Sequence, residues 1–383
     1  MLKTTICYAI IQIMKKRIIK ILSLVLALSL TIFSFSGCNK AEVKELGIPC
    51  EKQFQLGAMA RCPWDIKVFE GKVYVGGGDY GINTGPTVIW AYDISSNEWI
   101  NTGKVSDEAV SSFKIIADKL TVPGTDPRGS SDYGNAYQLE NGKWKTYTKI
   151  PNGIHNFDMV EFGGKIYAGL GVDFHNPPVA VGTAINEMFE FVPIYKNGAE
   201  VDADSMDLLQ YRAYDLFVHN QNLYALVCFT KDSGSTLEVY KLNGNQLEYF
   251  ANASDMLATK QYGTNLLESK VSFGSNMYFS RGVLYKSSDL QSFSAVNLPN
   301  GENVCDLFVA EGKMYVLAYT GSDGDYQVSI YQTEDEQNFE KILDFEYSVR
   351  PLSFDKDGDT FYIGMGDRTL KNDKTGMILA VKK

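Results

Sequence analysis

Cysteine, histidine and tryptophan are scarce in this chain of 383 residues, which has six Cys, three His and four Trp. No CxxC pair occurs, and no Cys/His spacing matches a zinc site. Also missing are a phosphate-binding P-loop, a G-x-S-x-G elbow, an H-E-x-x-H helix and a dinucleotide fingerprint, so the motif-bearing nucleotide, hydrolase and metalloprotease classes have no support. Helical periodicity is scarce beyond the first 37 residues, which argues against helical and α/β folds. Positive charge is short as well. Residues 1–37 carry five of the 36 basic residues and none of the 46 acidic ones, leaving 31 against 46 and a net charge of −15 for the rest. Nucleic acid is therefore not expected as a partner.

What is present begins with "MKKRIIKILSLVLALSLTIFSFSGC", Met14 to Cys38. Its basic start (Lys15, Lys16, Arg17, Lys20), apolar middle and small residues before a cysteine have the pattern of an export signal. The ending Phe35-Ser36-Gly37-Cys38 resembles a bacterial lipobox, which implies a diacylglyceryl group on Cys38 and a lipid-anchored protein on the outer side of the cell membrane. The expected layout is a signal peptide over 1–37, a tether over 38–49 and one domain over 50–383. Cys50, Cys62, Cys228 and Cys305 then remain, and buried free thiols suit them best.

The domain is a repeat. Taking the tyrosine of "KVYV" as an anchor, the pattern returns at Tyr74, Thr121, Tyr167, Tyr224, Tyr278, Tyr315 and Tyr362. A polar or glycine turn precedes most anchors, as at Glu70-Gly71 and Gly163-Gly164, joining two β-rich runs into a hairpin. An aromatic-bounded strand pair follows, such as "WAYDISSNEW" and "VLYKSSDLQSF". About four strands per unit and seven units predict an all-β, seven-bladed β-propeller. The last unit supplies only three strands, so an N-terminal strand, "CEKQFQLG" at Cys50–Gly57, is expected to complete the last blade and close the ring.

Blade one, "VYVGGG…VIWAYDISSNEW", resembles a kelch repeat, with glycines after the second strand and a Tyr–Trp pair seven apart (Tyr92, Trp99), a spacing repeated by Tyr137 and Trp144. Kelch domains range from protein-binding modules to oxidases, so this resemblance implies a fold and not an activity.

Nine residues before each anchor stands an acid or a serine: Asp65, Ser112, Asp158, Asp215, Ser269, Asp306 and Ser353. At the start of an innermost strand such a side chain can accept hydrogen bonds from a neighbouring blade, or it can belong to a ring of acceptors around a channel mouth. Twelve residues before the anchor the copies differ (Cys62, Ala109, His155, Arg212, Leu266, Asn303, Arg350, with Arg61 one step away), and variation suits a binding rim. Loops between second and third strands bring Asp79, Asp126, Asp173, His175, Asp367 and Arg368 to the same face. The densest part, His155, Asp158, Asp173 and His175, has the residue types for metal coordination or proton transfer. Arg61, Arg212 and Arg350 have the type that clamps carboxylates, and three arginines in a propeller resemble a sialidase, as do the degenerate Asp-boxes "SSDLQSF" and "TEDEQNF". "DKDGD" at Asp355–Asp359 lacks the Glu of a calcium loop and reads as a turn.

The ligand-binding set is thus Arg61, Asp79, His155, Asp158, Asp173, His175, Arg212, Arg350, Asp367 and Arg368, with no metal and no cofactor expected. The leading expectation is an extracytoplasmic propeller, not an enzyme, that binds a glycan, cell-wall polymer or protein through its top face. A secreted glycan-active hydrolase or lyase using rim carboxylates and histidines, and an assembly scaffold, are the alternatives.

Overall fold

A computed structural model describes residues 41–51, 58–79, 85–127, 132–171, 176–202, 208, 210–254, 269–322, 324–367 and 372–383. Cys38 and the segment before it, together with Asp173, His175 and Arg368, lie outside the described residues. Among the described residues no helix is long and apolar enough to cross a membrane.

Each repeat begins as a hairpin because its central turn residues take the left-handed conformation that matches strand twist. Glu70 and Gly71 have φ of 47° and 71°, and Gly163 and Gly164 have 58° and 74°. The anchors fall on the second strands, and all seven are buried, from 0% exposure at Thr121 and Tyr278 to 5% at Tyr167 and Tyr224. One hydroxyl-bearing anchor per repeat is therefore packed into the core.

These hairpins grow into antiparallel meanders, and the result is an all-β propeller. Five four-stranded sheets stand separately, over 66–105, 114–151, 269–296, 303–347 and 351–382, the last completed by Glu42–Gly47. This count differs from the seven expected. The strands of 155–191 and 210–252 belong instead to a single twelve-stranded sheet, because Gly171 pairs with Arg212 across the two meanders. The same sheet takes in Asp107–Ala109 and Thr125–Pro127 through the pair His155 and Thr125. First strands pack side by side in the order Ile66–Phe69, Pro351–Asp357, Asn303–Ala310, Ser269–Phe273, Gln210–His219, His155–Phe162 and Lys114–Ile116.

The strand that completes the last sheet is not the one expected. Glu42–Gly47 pairs antiparallel with Ile378–Lys382, from Glu42 opposite Lys382 to Gly47 opposite Ile378. The pairing therefore lies inside the segment assigned to the tether. "EVKELG" reads as polar, yet charged side chains on an outer strand are how an exposed edge is protected. Residues 52–57 lie outside the described part. Cys50, Cys62, Cys228 and Cys305 are free and buried, as expected.

Candidate functional site

Four of the seven first strands carry a local irregularity near their start. Register shifts occur between Asn156 and Asp158, Ala213 and Asp215, Val304 and Asp306, and Pro351 and Ser353. The skipped residues are Phe157, Tyr214, Cys305 and Leu352, at one repeat position. A bulge turns its residue out of the regular alternation and re-aims its side chain.

At Phe157 and Tyr214 this produces a ladder of rings. The imidazole of His155 stacks on Phe157 with centroids 5.5 Å apart, and Phe157 stacks on Tyr214 at 4.6 Å. The Arg212 guanidinium lies over the Phe157 ring, 5.8 Å from its centroid, and donates to the Tyr214 hydroxyl at 3.4 Å. His155 Nδ1 is 2.8 Å from Asp126 Oδ1, close enough for an ion pair but not aligned as a hydrogen bond. The two side chains are 23% and 24% exposed, so the pair meets solvent. Asp126 has φ of 57°, which suits a short polar side chain folding back on its own loop.

A second guanidinium has a related setting. Arg350 lies over the Tyr319 ring at 5.8 Å, donates to its hydroxyl at 2.9 Å and is 3.5 Å from Asp367. Arg61, in the short helix Ala58–Arg61, is instead 3.8 Å from Glu51. The three arginines thus have separate partners, which is not the shared clamp that the sialidase resemblance implied. "SSDLQSF" and "TEDEQNF" form turns in which Asp289 and Asp335 accept N–H groups from residues two and three further on. That is a local, structural use of the carboxylate. Likewise Gly358 and Asp359 turn the first hairpin of the last sheet.

Two expected rim residues are not presented to solvent. Asp79 is 4% exposed and Asp158 only 2%. Asp158 lies in the strand His155–Phe162, just past its bulge, and is consumed there. Its Oδ2 accepts the Leu216 N–H from the neighbouring strand at 2.8 Å and lies 2.7 Å from Lys270 Nζ, while Oδ1 lies 2.7 Å from Lys114 Nζ. Burial pushes its pKa up, but the two ammonium groups outweigh that and hold it at about 2. The same position recurs as a brace. Asp65 accepts the Phe113 N–H at 2.6 Å, Asp306 accepts that of Phe354 at 2.9 Å, and Ser269 and Ser353 donate to Leu307 and Pro63 carbonyls. Asp65 and Asp306 lack so close a cation, and burial pushes them up to about 6 and about 8, Asp306 being raised further by Asp65. Among the described residues, no group of three or more His, Cys, Asp or Glu is placed to hold a metal. His219 is 3% exposed and bonded to Ser272 Oγ at 2.9 Å, with its pKa lowered by burial.

Sequence reasoning missed Phe157, Tyr214 and Tyr319 at the rim, and Lys114 and Lys270 in the inner ring. The first two lie two residues past a candidate, His155 or Arg212, but at the bulged position, where regular alternation does not predict the facing.

No protein-family model matches the chain, and no curated protein matches its sequence. Solved structures similar in fold include virginiamycin B lyase from Staphylococcus aureus, 11% identical, covering 90% of this chain and 100% of that one with a TM-score of 0.47. Polysaccharide lyase Uly1 is 8% identical over 85% of this chain and 91% of its own, with a TM-score of 0.48. BamB from Moraxella catarrhalis is 11% identical over 83% and 84%, with a TM-score of 0.42. Likenesses this distant say nothing about function.

Proposed function

We propose that the chain is a seven-bladed propeller, anchored outside the cell by a lipid on Cys38, that binds a carboxylate-bearing glycan at the rim around His155, Phe157, Tyr214 and Arg212. In this reading the twelve-stranded sheet is two blades, 155–191 and 210–252, bridged at Gly171 and Arg212, and Glu42–Gly47 closes the ring. The supporting observation is the stacked ladder with its guanidinium. Half-buried ring faces offer apolar contact to a sugar's C–H face, and an arginine already laid on an aromatic loses little freedom when it takes up a carboxylate. His155 and Asp126 add polar groups at the edge of the ladder.

The test is binding of uronic-acid and neutral oligosaccharides by isothermal titration. Phe157→Ala with Arg212→Ala should lose at least about tenfold in affinity for the acidic sugar, a loss of about 1.4 kcal/mol. A folded double variant that binds as wild type does would overturn the proposal. Cleavage of the sugar in the same experiment would move the reading to the glycan-active enzyme, with His155 as the first residue to examine.

A further inference from the structure

The last sheet fixes the end of the strands at which its outer strand starts. Glu42 stands opposite Lys382 and Lys382 opposite Thr360, which pairs with Asp357 across the turn Gly358-Asp359. At the other end of the sheet Gly47 is opposite Ile378 and Ile378 opposite Gly364, beside the pair of Pro351 and Met365 that follows Arg350. Glu42–Gly47 therefore starts at the hairpin-turn end and runs toward the rim end. The other meanders have the same sense. The strand that His155 opens reaches its turn at Gly163-Gly164, and Gln210–His219 reaches Asn220-Gln221. Glu42 and the candidate rim thus lie at opposite ends of the strands.

Little chain is left to act as a tether. Cys38 stands three residues before Ala41, and Ala41 already packs against the core of the last two sheets. Three residues fully extended span ~10 Å, whereas a strand of nine residues such as Asp325–Thr333 rises ~30 Å. A lipid on Cys38 is therefore within reach of the turn face and out of reach of the rim.

The turn face is built of short connections, since all seven first hairpins close with two residues, from Glu70-Gly71 to Gly358-Asp359. Its charge does not draw it to a bilayer. Glu42, Asp357, Lys44 and Lys382, two of each sign, line the groove beside the start of the outer strand. From Cys38 onward 31 basic residues (36 less five) face 46 acidic ones, a balance that anionic phospholipid repels.

We infer that the turn face lies against the lipid bilayer and that the rim of His155, Phe157, Tyr214 and Arg212 points away from it. The inference rests on the lipid proposed at Cys38. Two acyl chains hold a protein to a membrane without a polybasic patch, so the short tether sets the pose and the lipid charge does not.

The experiment uses the lipidated chain, purified in detergent and reconstituted into vesicles of phosphatidylethanolamine and phosphatidylglycerol that carry an acceptor dye on some headgroups. Cys50, Cys62, Cys228 and Cys305 are buried and the lipid occupies the Cys38 thiol, so one introduced surface cysteine takes the donor dye. Asp359→Cys and Asn245→Cys place it at exposed turn-face positions of two separated meanders, and Tyr133→Cys and Asp325→Cys at exposed rim-end positions. With ~30 Å between the two ends, energy transfer from the turn-face sites should exceed that from the rim-end sites at least about twofold. The same ratio is expected in phosphatidylcholine. A flexible Gly/Ser segment of about 20 residues inserted after Lys40, with a root-mean-square span of ~25 Å, should remove most of the difference.

Equal transfer from all four sites would overturn the orientation while leaving the anchor and the rim site intact. High transfer at Asp359→Cys with low transfer at Asn245→Cys would overturn it in favour of a chain lying on its outer edge. A difference that survives the insertion would overturn the tether as its cause. A chain that takes up no labelled palmitate would remove the anchor and this inference with it, and that failure is read before any dye is added.

Discussion

The Asp158 carboxylate accepts the Leu216 backbone N–H at 2.8 Å, from one meander of the twelve-stranded sheet to the other. It thereby ties the first strand of one meander to the first strand of the next. Asp65 does the same toward Phe113, and Asp306 toward Phe354. An inner strand start has N–H groups that its own sheet cannot use, and a short acid one position ahead in the neighbouring repeat supplies the acceptor.

Removing the cation from this brace should be costly. Lys270 Nζ is shared by Asp158 Oδ2 at 2.7 Å and Asp215 Oδ1 at 2.5 Å, with its side chain 13% exposed. Lys270→Met keeps the length and leaves two buried carboxylates short of their counter-ion. Breaking one partner of a buried pair typically costs about 3–5 kcal/mol. Urea unfolding should show a loss in that range. A loss under about 1 kcal/mol would mean that solvent already screens the cluster.

Stability should fall as pH rises through neutrality. Asp306, pushed up to about 8, keeps its proton in the folded chain well above the pH at which an unfolded aspartate has lost it, about 3.9. The folded state then binds more protons between those values, so the pH slope of stability is negative there, by at most about 1.4 kcal/mol per pH unit for one proton. Asp65, pushed up to about 6, adds to the slope over the lower part of the window. Asp158 acts oppositely. Held at about 2, it contributes stability above about pH 4 that disappears on further acidification. Asp306→Asn should flatten the decline in Tm between about pH 5 and pH 8. A variant whose Tm declines as steeply as wild type would show that Asp306 titrates normally.

Much of the fold could be read from sequence because it repeats. Buried anchors such as Tyr74 and Tyr278 recur with turn residues at fixed offsets, and in the acid-or-serine column Asp65, Asp158, Ser269, Asp306 and Ser353 brace a neighbouring strand as one of its two readings expected, whereas Asp215 pairs with Lys270 and Ser112 Oγ has no hydrogen-bond partner among the described residues. The merging of two meanders through Gly171 and Arg212 depends on a single backbone bridge, which leaves no trace in composition. The partners inside the ring were hidden for another reason. Lys114 and Lys270 stand seven and eight residues before their anchors, so no single column collects them, and their shared target, Asp158, is on a third strand. At the rim, Arg212 and His155 stood out by charge, while the rings they rest on pass for ordinary core residues until the bulge turns them outward.

Cys38→Ala should abolish incorporation of labelled palmitate in a bacterial host, because only the thiolate of the lipobox cysteine can take the diacylglyceryl group. The two acyl chains of that group supply the anchor, where a single chain would bind only weakly. Equal labelling of variant and wild type would remove the lipid from the proposed function and leave the propeller unaffected.

The outer strand Glu42–Gly47 gives the sharpest test of the proposed ring closure. Besides its pairing with Ile378–Lys382, its Leu46 carbonyl accepts the Trp99 indole N–H at 2.8 Å. Glu45 accepts the Tyr347 hydroxyl at 2.8 Å and pairs with Lys374 at 2.5 Å. The strand therefore touches the sheets on both sides of the last one. Deleting residues 39–48 should expose the edge of Ile378–Lys382, lower the Tm by several degrees and promote association, whereas deleting only 39–40 should do neither. Trp99→Phe isolates one link, the loss of a single hydrogen bond worth about 1 kcal/mol. If the chain lacking 39–48 stays monomeric and melts at the wild-type temperature, the last sheet is stable with three strands. Closure would then rest on the inner strands, where Val68 donates its N–H to Asp355 at 2.9 Å and Lys67 pairs with the same carboxylate at 2.9 Å.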